Sequence, residues 1–273
     1  MKTNIPILMY HSIAAEASPI FRRWTVAPAL FEQHMAWLRT AGYTPLTVTR
    51  MVRALDGAEP SLPARPVVVT FDDGFADFHA AAVPILSRYA CPATLYVCTG
   101  YLDGTSRWLE RAGEGNRPML TWDQVAELPR YGVEVGAHTH THPQLDTLPP
   151  EEAREEIVRS RQLLEDWLGV SVESFAYPHG YHSRTVREMV RQAGFSSACA
   201  VKHAMSFSGD DRFALARIIV LSDTTIESLG AMVEGRTVSR AGSWQRARSL
   251  GWRVVRRTRR RLLASAGRSR RGS

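Results

Sequence analysis

The sequence predicts an α/β domain built on a mainly parallel sheet, and three observations lead there. Short apolar or β-branched runs alternate with helical patterns along most of the chain. Val67-Val68-Val69 is apolar at successive positions, as expected of a strand covered on both faces. Polar residues capable of chemistry stand just after several of these runs, where parallel-sheet folds gather their catalytic groups.

Seven strands are expected, at Ile5–Tyr10, Val67–Phe71, Ala93–Val97, Val133–Ala137, Ser174–Tyr177, Ser197–Val201 and Leu215–Val220. Helices are expected at Pro28–Thr40, Ala76–Tyr89, Thr121–Leu128, Pro150–Leu168 and Ser183–Ala193. Thr121-Trp122-Asp123-Gln124 reads as a capping box, and Pro150-Glu151-Glu152 places proline and acids in a first turn. That helix carries Ile157, Arg161, Leu164 and Leu168 at spacings of three and four and stops at Gly169. Pro84 falls inside the helix after Gly74 and predicts a kink. About seven strands in one domain suit either a barrel or an open doubly wound sheet.

The charge is unevenly spread. The net charge of the 273 residues is +7, yet positions 236–273 hold thirteen arginines and no lysine or acid, so the remainder carries −6. The expected organisation is a catalytic domain at 1–235 and an Arg-rich tail at 236–273. The pI near 9.7 is therefore no nucleic-acid footprint on the folded domain. Trp244, Ala247, Gly251, Val254 or Val255, Thr258 and Leu262 form an apolar stripe in the tail. It reads either as a helix lying on an anionic membrane surface or as a solvated, disordered segment. Cys91, Cys98 and Cys199 are odd in number and lack a CxxC pair, against both a disulfide framework and a cysteine zinc site. The first residues lack a signal-peptide pattern, and no run has membrane-spanning length, so a cytoplasmic protein, peripheral on the inner face of the membrane if the tail binds there, is expected.

Four segments end predicted strands with polar residues: Tyr10-His11-Ser12, Thr70-Phe71-Asp72-Asp73-Gly74, His138-Thr139-His140-Thr141-His142-Pro143, and Tyr177-Pro178-His179-Gly180. Each alone is an ordinary turn or a hydrogen-bonded loop histidine. Together they fit a hydrolytic metal site, which needs a few N or O ligands, an open position for water, and a base kept off the metal. Adjacent aspartates divide those tasks, because neighbouring side chains in extended chain point oppositely. His138 and His142 could complete a two-His, one-carboxylate set, with His140 between them as the spare, a loop hydrogen-bonder whose position alone does not exclude it as a ligand.

Thr-Phe-Asp-Asp-Gly at 70–74 with His-Thr-His-Thr-His-Pro at 138–143 resembles the polysaccharide deacetylases, the NodB-homology group of carbohydrate esterases, from about Ile5 to Val233. With this resemblance the expected fold is a distorted (β/α) barrel of about seven parallel strands with outer helices. The resemblance implies Asp72 as general base, Asp73, His138 and His142 as metal ligands, and a backbone N–H of His179, beside Tyr177, as the oxyanion and substrate contact. Two family features are missing: Ala176 replaces the usual arginine of the third motif, and no late Leu-x-His follows, His203 lacking that context. Leu8-Met9-Tyr10-His11 instead resembles the rearranged subgroup that deacetylates poly-N-acetylglucosamine, which makes His11 the acid, and Leu215-Ala216-Arg217-Ile218 offers Arg217 as the supporting arginine. The implied reaction is metal-assisted hydrolysis of an N-acetyl amide in a polysaccharide, oligosaccharide or lipid-linked glycan precursor. Zinc is the expected ion, although the ligands also suit cobalt, nickel, manganese or iron. The alternatives are a hydrolase of a cyclic ureide or imide and a non-catalytic saccharide-binding protein.

Overall fold

The computed structural model describes residues 3–238. The apolar stripe and all but the first three residues of the 236–273 tail lie outside the described residues.

The central sheet has eight strands: β1 (Ile7–Tyr10), β2 (Thr44–Leu46), β3 (Pro66–Phe71), β4 (Ala93–Val97), β5 (Val133–Ala137), β6 (Ser174–Ala176), β7 (Ser197–Cys199) and β8 (Ile218–Ile219). Their order is β7–β6–β5–β4–β3–β1–β8, with β2 pairing the start of β3, and every pairing is parallel. The two ends of this order meet. Leu215, just before β8, exchanges backbone bonds with Ala198 and Ala200 at β7, which curls the sheet into a (β/α) barrel. Among the described residues seven α-helices surround or follow the strands: α1 (Pro28–Thr40), α2 (Val48–Leu55), α3 (Val83–Arg88), α4 (Trp122–Glu127), α5 (Pro150–Leu168), α6 (Arg184–Gln192) and α7 (Ile226–Val233).

Local sequence accounts for most boundaries. The Thr121–Gln124 capping box is present, and α5 starts with Pro150 in its first turn and stops at left-handed Gly169. Three expectations change, one of them being that the strand expected over Leu215–Val220 is confined to Ile218–Ile219. Ile5–Tyr10 is split at Pro6, with Asn4–Ile5 pairing antiparallel to Ser206–Phe207, since proline brings no N–H to a ladder. The helix after Gly74 is a π-helical segment, Phe78–Ala82, running into α3, where Pro84 occupies the first turn rather than an interior position. Unforeseen were β2, a three-residue strand holding Pro45, and the helices α2 and α7.

Period-two alternation sorts each strand into two rows. Ile7, Val68, Tyr96, Ala176, Cys199 and Leu215 pack together inside the barrel. Leu8, Val67, Val69, Phe71, Leu95 and Val97 face outward into the main core under the helices. Gly136 keeps the interior open: a Cβ there would stand 2.5 Å from the Tyr96 ring and 2.8 Å from Ser174 Oγ. Continuing the inward rows by two or four residues leads to His11, Asp72, Cys98, His138 and Arg217. The sheet thus delivers five widely separated parts of the sequence to one end of the barrel.

Candidate active site

Asp72 and Arg217 form the centre of that end. Arg217 is fully buried, and its guanidinium donates to both carboxylate oxygens, Nη1 to Oδ1 at 2.6 Å and Nη2 to Oδ2 at 2.7 Å. Its remaining donors reach Thr70 Oγ1 and the Ala200 carbonyl, each at 3.2 Å. This bidentate geometry fixes the Asp72 plane. Burial raises the Asp72 carboxyl pKa, but Arg217 first and His138 second outweigh it and hold the group below its ordinary value.

Asp73 takes the opposite course. Its backbone lies in the left-handed region (φ 77°), which turns the side chain out of the β3 row. The carboxylate faces two imidazoles, with His142 Nε2 at 3.3 Å and His138 Nε2 at 3.6 Å from Oδ1. Burial, then the charge of Asp72, push its pKa well up. Burial likewise lowers His138, and lowers His142 further with the help of His179, His138 and His11. A buried carboxylate and two neutral imidazoles converging on one point are a cation's donor set. One ligand atom from each lies within 4.8 Å of the others. The separations match the edge of a tetrahedron with bonds of 2.0–2.2 Å, about 3.4 Å. Moreover, His138 Nδ1 lies 2.8 Å from the Ala176 carbonyl, so the protonated Nδ1 leaves the Nε2 lone pair for a metal. The residues present fit a divalent ion.

His140 stays out of this set, its Nδ1 bonded to Thr99 Oγ1 at 2.9 Å. His11 belongs to the same end: its surroundings include the charges of Asp72, Arg217, His138 and His179, and burial lowers its pKa to about 4. Its ring packs on Trp24, with centroids 4.9 Å apart. His179 sits in left-handed backbone (φ 57°) with its ring 4.7 Å from that of His142. Tyr177 is fully buried. Its ring is stacked on His182, and its hydroxyl donates to the Phe213 carbonyl at 2.9 Å.

Two aromatic walls escaped the sequence reading. Trp24 covers His11, while Trp108 lies 5.4 Å from the His142 ring and is stacked on Phe75. They come from the segments at 14–24 and 102–118, which are joined by bonds from Ser18 to Ala112 and Glu114. Below them Arg117 and Asp77 both bond Ser12, next to His11. No local pattern marks irregular segments of this kind. A signal did exist in Trp24 and Trp108 themselves, large rings in polar stretches with no helical or strand period to bury them.

A family model described as polysaccharide deacetylase matches residues 59–198. The chain is 27% identical over 232 residues to a putative polysaccharide deacetylase, YxkH, of Bacillus subtilis, covering 85% of this chain and 76% of that one. It is 31% identical over 136 residues to the poly-beta-1,6-N-acetyl-D-glucosamine N-deacetylase of Escherichia coli, covering 48% of this chain and 20% of that longer protein. The structure of the Streptococcus pyogenes deacetylase PplD in complex with acetate superposes with a TM-score of 0.74 at 28% identity, over 85% of this chain and 99% of that one. With its TFDDG and His-x-x-x-His segments meeting at the open end of a curled parallel barrel, the chain belongs to the polysaccharide deacetylase family.

Proposed function

We propose that this enzyme removes acetyl groups from N-acetylglucosamine units of a glycan, either a polymer or a lipid-linked precursor of one. The convergence of Asp73, His138 and His142 beside the Asp72–Arg217 pair carries this reading. The E. coli relative's poly-N-acetylglucosamine supports the substrate class, as do the tryptophans flanking His11 and His142, since aromatic faces suit sugar rings.

Asp73, His138 and His142 would hold one divalent ion, zinc in our reading, which supplies Lewis-acid activation of water and of the acetamide carbonyl. Asp72, kept ionised and oriented by Arg217, takes the proton of the attacking water. His11 delivers a proton to the departing amine. Burial is the largest influence on His11 and disfavours its protonated form, and among its charged neighbours Asp72 favours that form while Arg217, His138 and His179 oppose it. The His179 backbone N–H is assigned to the oxyanion. Residues 1–235 form the catalytic unit, and the thirteen arginines beyond it draw the chain to an anionic membrane surface. No described helix is long and apolar enough to cross a membrane.

The test is acetate release from N-acetylglucosamine oligomers, with a cyclic ureide as the comparison substrate. Turnover of the oligomers, abolished in His11→Ala with metal content unchanged, is expected. Turnover of the ureide alone would overturn the substrate class. For the tail, the full chain should sediment with anionic vesicles at low salt and release as salt rises, whereas a chain ending at 235 should stay in solution.

A further inference from the structure

We infer that Glu156, on the outer helix α5, is a positioning residue that holds the His138–His142 segment in its metal-binding form. The inference rests on the reading of Asp73, His138 and His142 as ligands.

The segment is five residues long with a proposed ligand at each end, and its backbone is unusual. Thr139 (φ 68°) and His142 (φ 58°) both occupy the left-handed region, which L-residues resist, a β-branched threonine most of all. Such a path persists only where its surroundings over-determine it. The bonds that do so are visible. The His138 N–H donates to the Val97 carbonyl and the His142 N–H to Thr139 Oγ1. The two amides between the ligands, those of His140 and Thr141, both donate to Glu156 Oε2, at 2.9 and 2.7 Å. Thr141 Oγ1 donates to Glu156 Oε1 at 2.5 Å. On the opposite side the Gly100 N–H donates to the His140 carbonyl at 2.8 Å. That approach is so close that a Cβ on residue 100 would lie 2.7 Å from the same oxygen. The centre of the segment is thus gripped between a glycine backbone and one carboxylate.

Glu156 touches neither proposed ligand side chain. Its effect passes through the amides of two residues whose side chains are not in the ligand set. Loss of its bonds would hand both amides to water, which does not fix their direction, beside two strained residues, and relaxation of either Thr139 or His142 would swing an imidazole away from Asp73. Orienting groups of this kind are commonly worth about 10–100-fold in metal affinity.

The test uses two shape-conserving variants of the full chain, Glu156→Gln and Glu156→Asp. Glutamine keeps an acceptor oxygen in place for both amides and presents its NH₂ to Thr141 Oγ1, an acceptor as well as a donor. Aspartate keeps the charge but is one methylene too short to reach. Zinc affinity by chelator competition, and the visible absorption of the cobalt-loaded protein, are the readouts. Glu156→Gln should bind zinc within about threefold of the unaltered chain and keep its cobalt spectrum, while Glu156→Asp should bind about 10–100-fold more weakly with an altered spectrum. Equal affinities for Glu156→Asp and the unaltered chain, or equal losses in the two variants, overturn the assignment, whatever the melting temperatures do. Failure of the underlying reading looks different, because the unaltered chain would then bind zinc no more tightly than His138→Ala.

Discussion

Strand β5 carries His138 beyond one end and Glu134 near the other, both in the row that faces the barrel interior. The two ends treat a carboxylate in opposite ways. Glu134 is surrounded by neutral donors that belong to the scaffold: the Thr49 N–H at 3.0 Å, and the hydroxyls of Thr49, Thr94 and Ser174 at 2.6, 2.9 and 2.5 Å. Those donors tie α2, β4 and β6 to β5. At the other end Asp72 is matched to a buried arginine, and Asp73 faces two imidazole nitrogens with lone pairs to give. A carboxylate whose lone pairs are filled by hydroxyls and an amide is finished as structure. One that faces other electron-pair donors is built for a cation.

The sharpest way to separate the two ends is to remove one charge from each. Asp72→Asn should lower deacetylation by about 10²–10⁴-fold with metal content unchanged, since it removes the proposed base while sparing the three proposed ligands. It also leaves Arg217 without its charged partner, so a loss of stability accompanies the loss of turnover. Glu134→Gln should leave turnover within about threefold and lower the melting temperature instead. A comparable loss of turnover in both variants would break the comparison.

Next in size is Arg217→Met, which strands the buried Asp72 carboxylate without its partner. Breaking a buried pair in this way costs about 3–5 kcal/mol, readable in urea denaturation. Wild-type stability in this variant would mean that Asp72 is already satisfied by other groups.

Acid acts on the segment after β6. Burial, the largest cause, lowers the pKa of His182, beside Tyr177 on the segment after β6, from 6.5 to about 4. The folded value lies below the unfolded one, so the unfolded chain binds a proton that the fold refuses. Stability therefore falls as pH drops through about 6.5, and this residue's share of the loss is complete below about 4, at most about 3 kcal/mol. In His182→Phe, which keeps a ring against Tyr177, stability measured from pH 7 to 4 should decline less steeply. An unchanged slope would show that His182 protonates freely in the fold.

The smallest effect belongs to the structural end. Thr94→Val deletes one hydroxyl that donates to Glu134 and accepts from the Val48 N–H. It should cost about 1–3 kcal/mol of stability with kcat and KM unchanged, because one buried N–H is left unpaired far from the chemistry.

The fold was largely legible because its signals are local. Caps at Thr121, an N1 proline at 150 and a stop at Gly169 act within a single turn, and the Val67–Phe71 run declares a strand covered on both faces. The elements missed lack such signals. Thr44–Leu46 is too short and holds a proline, and α2 owes its place to tertiary anchors, the Val48 N–H bonded to Thr94 and the Thr49 N–H to Glu134.

For the site, sequence alone determined the residue types and their spacing: a pair of adjacent aspartates, three histidines at alternate positions, and a histidine after the first strand. It could not determine which histidine turns aside, because that depends on Thr99 of another loop receiving His140. Nor could it determine that an arginine just before the last described strand, β8, would lie against an aspartate after β3, 145 positions away. Ring closure decided that, by bringing β8 and its approach beside both β1 and β7. The grip of Glu156 on the ligand segment and the walls of Trp24 and Trp108 are of the same kind. Periodicity and spacing report forces acting along the chain, whereas a side chain's partner across the barrel is set by where the whole sheet closes.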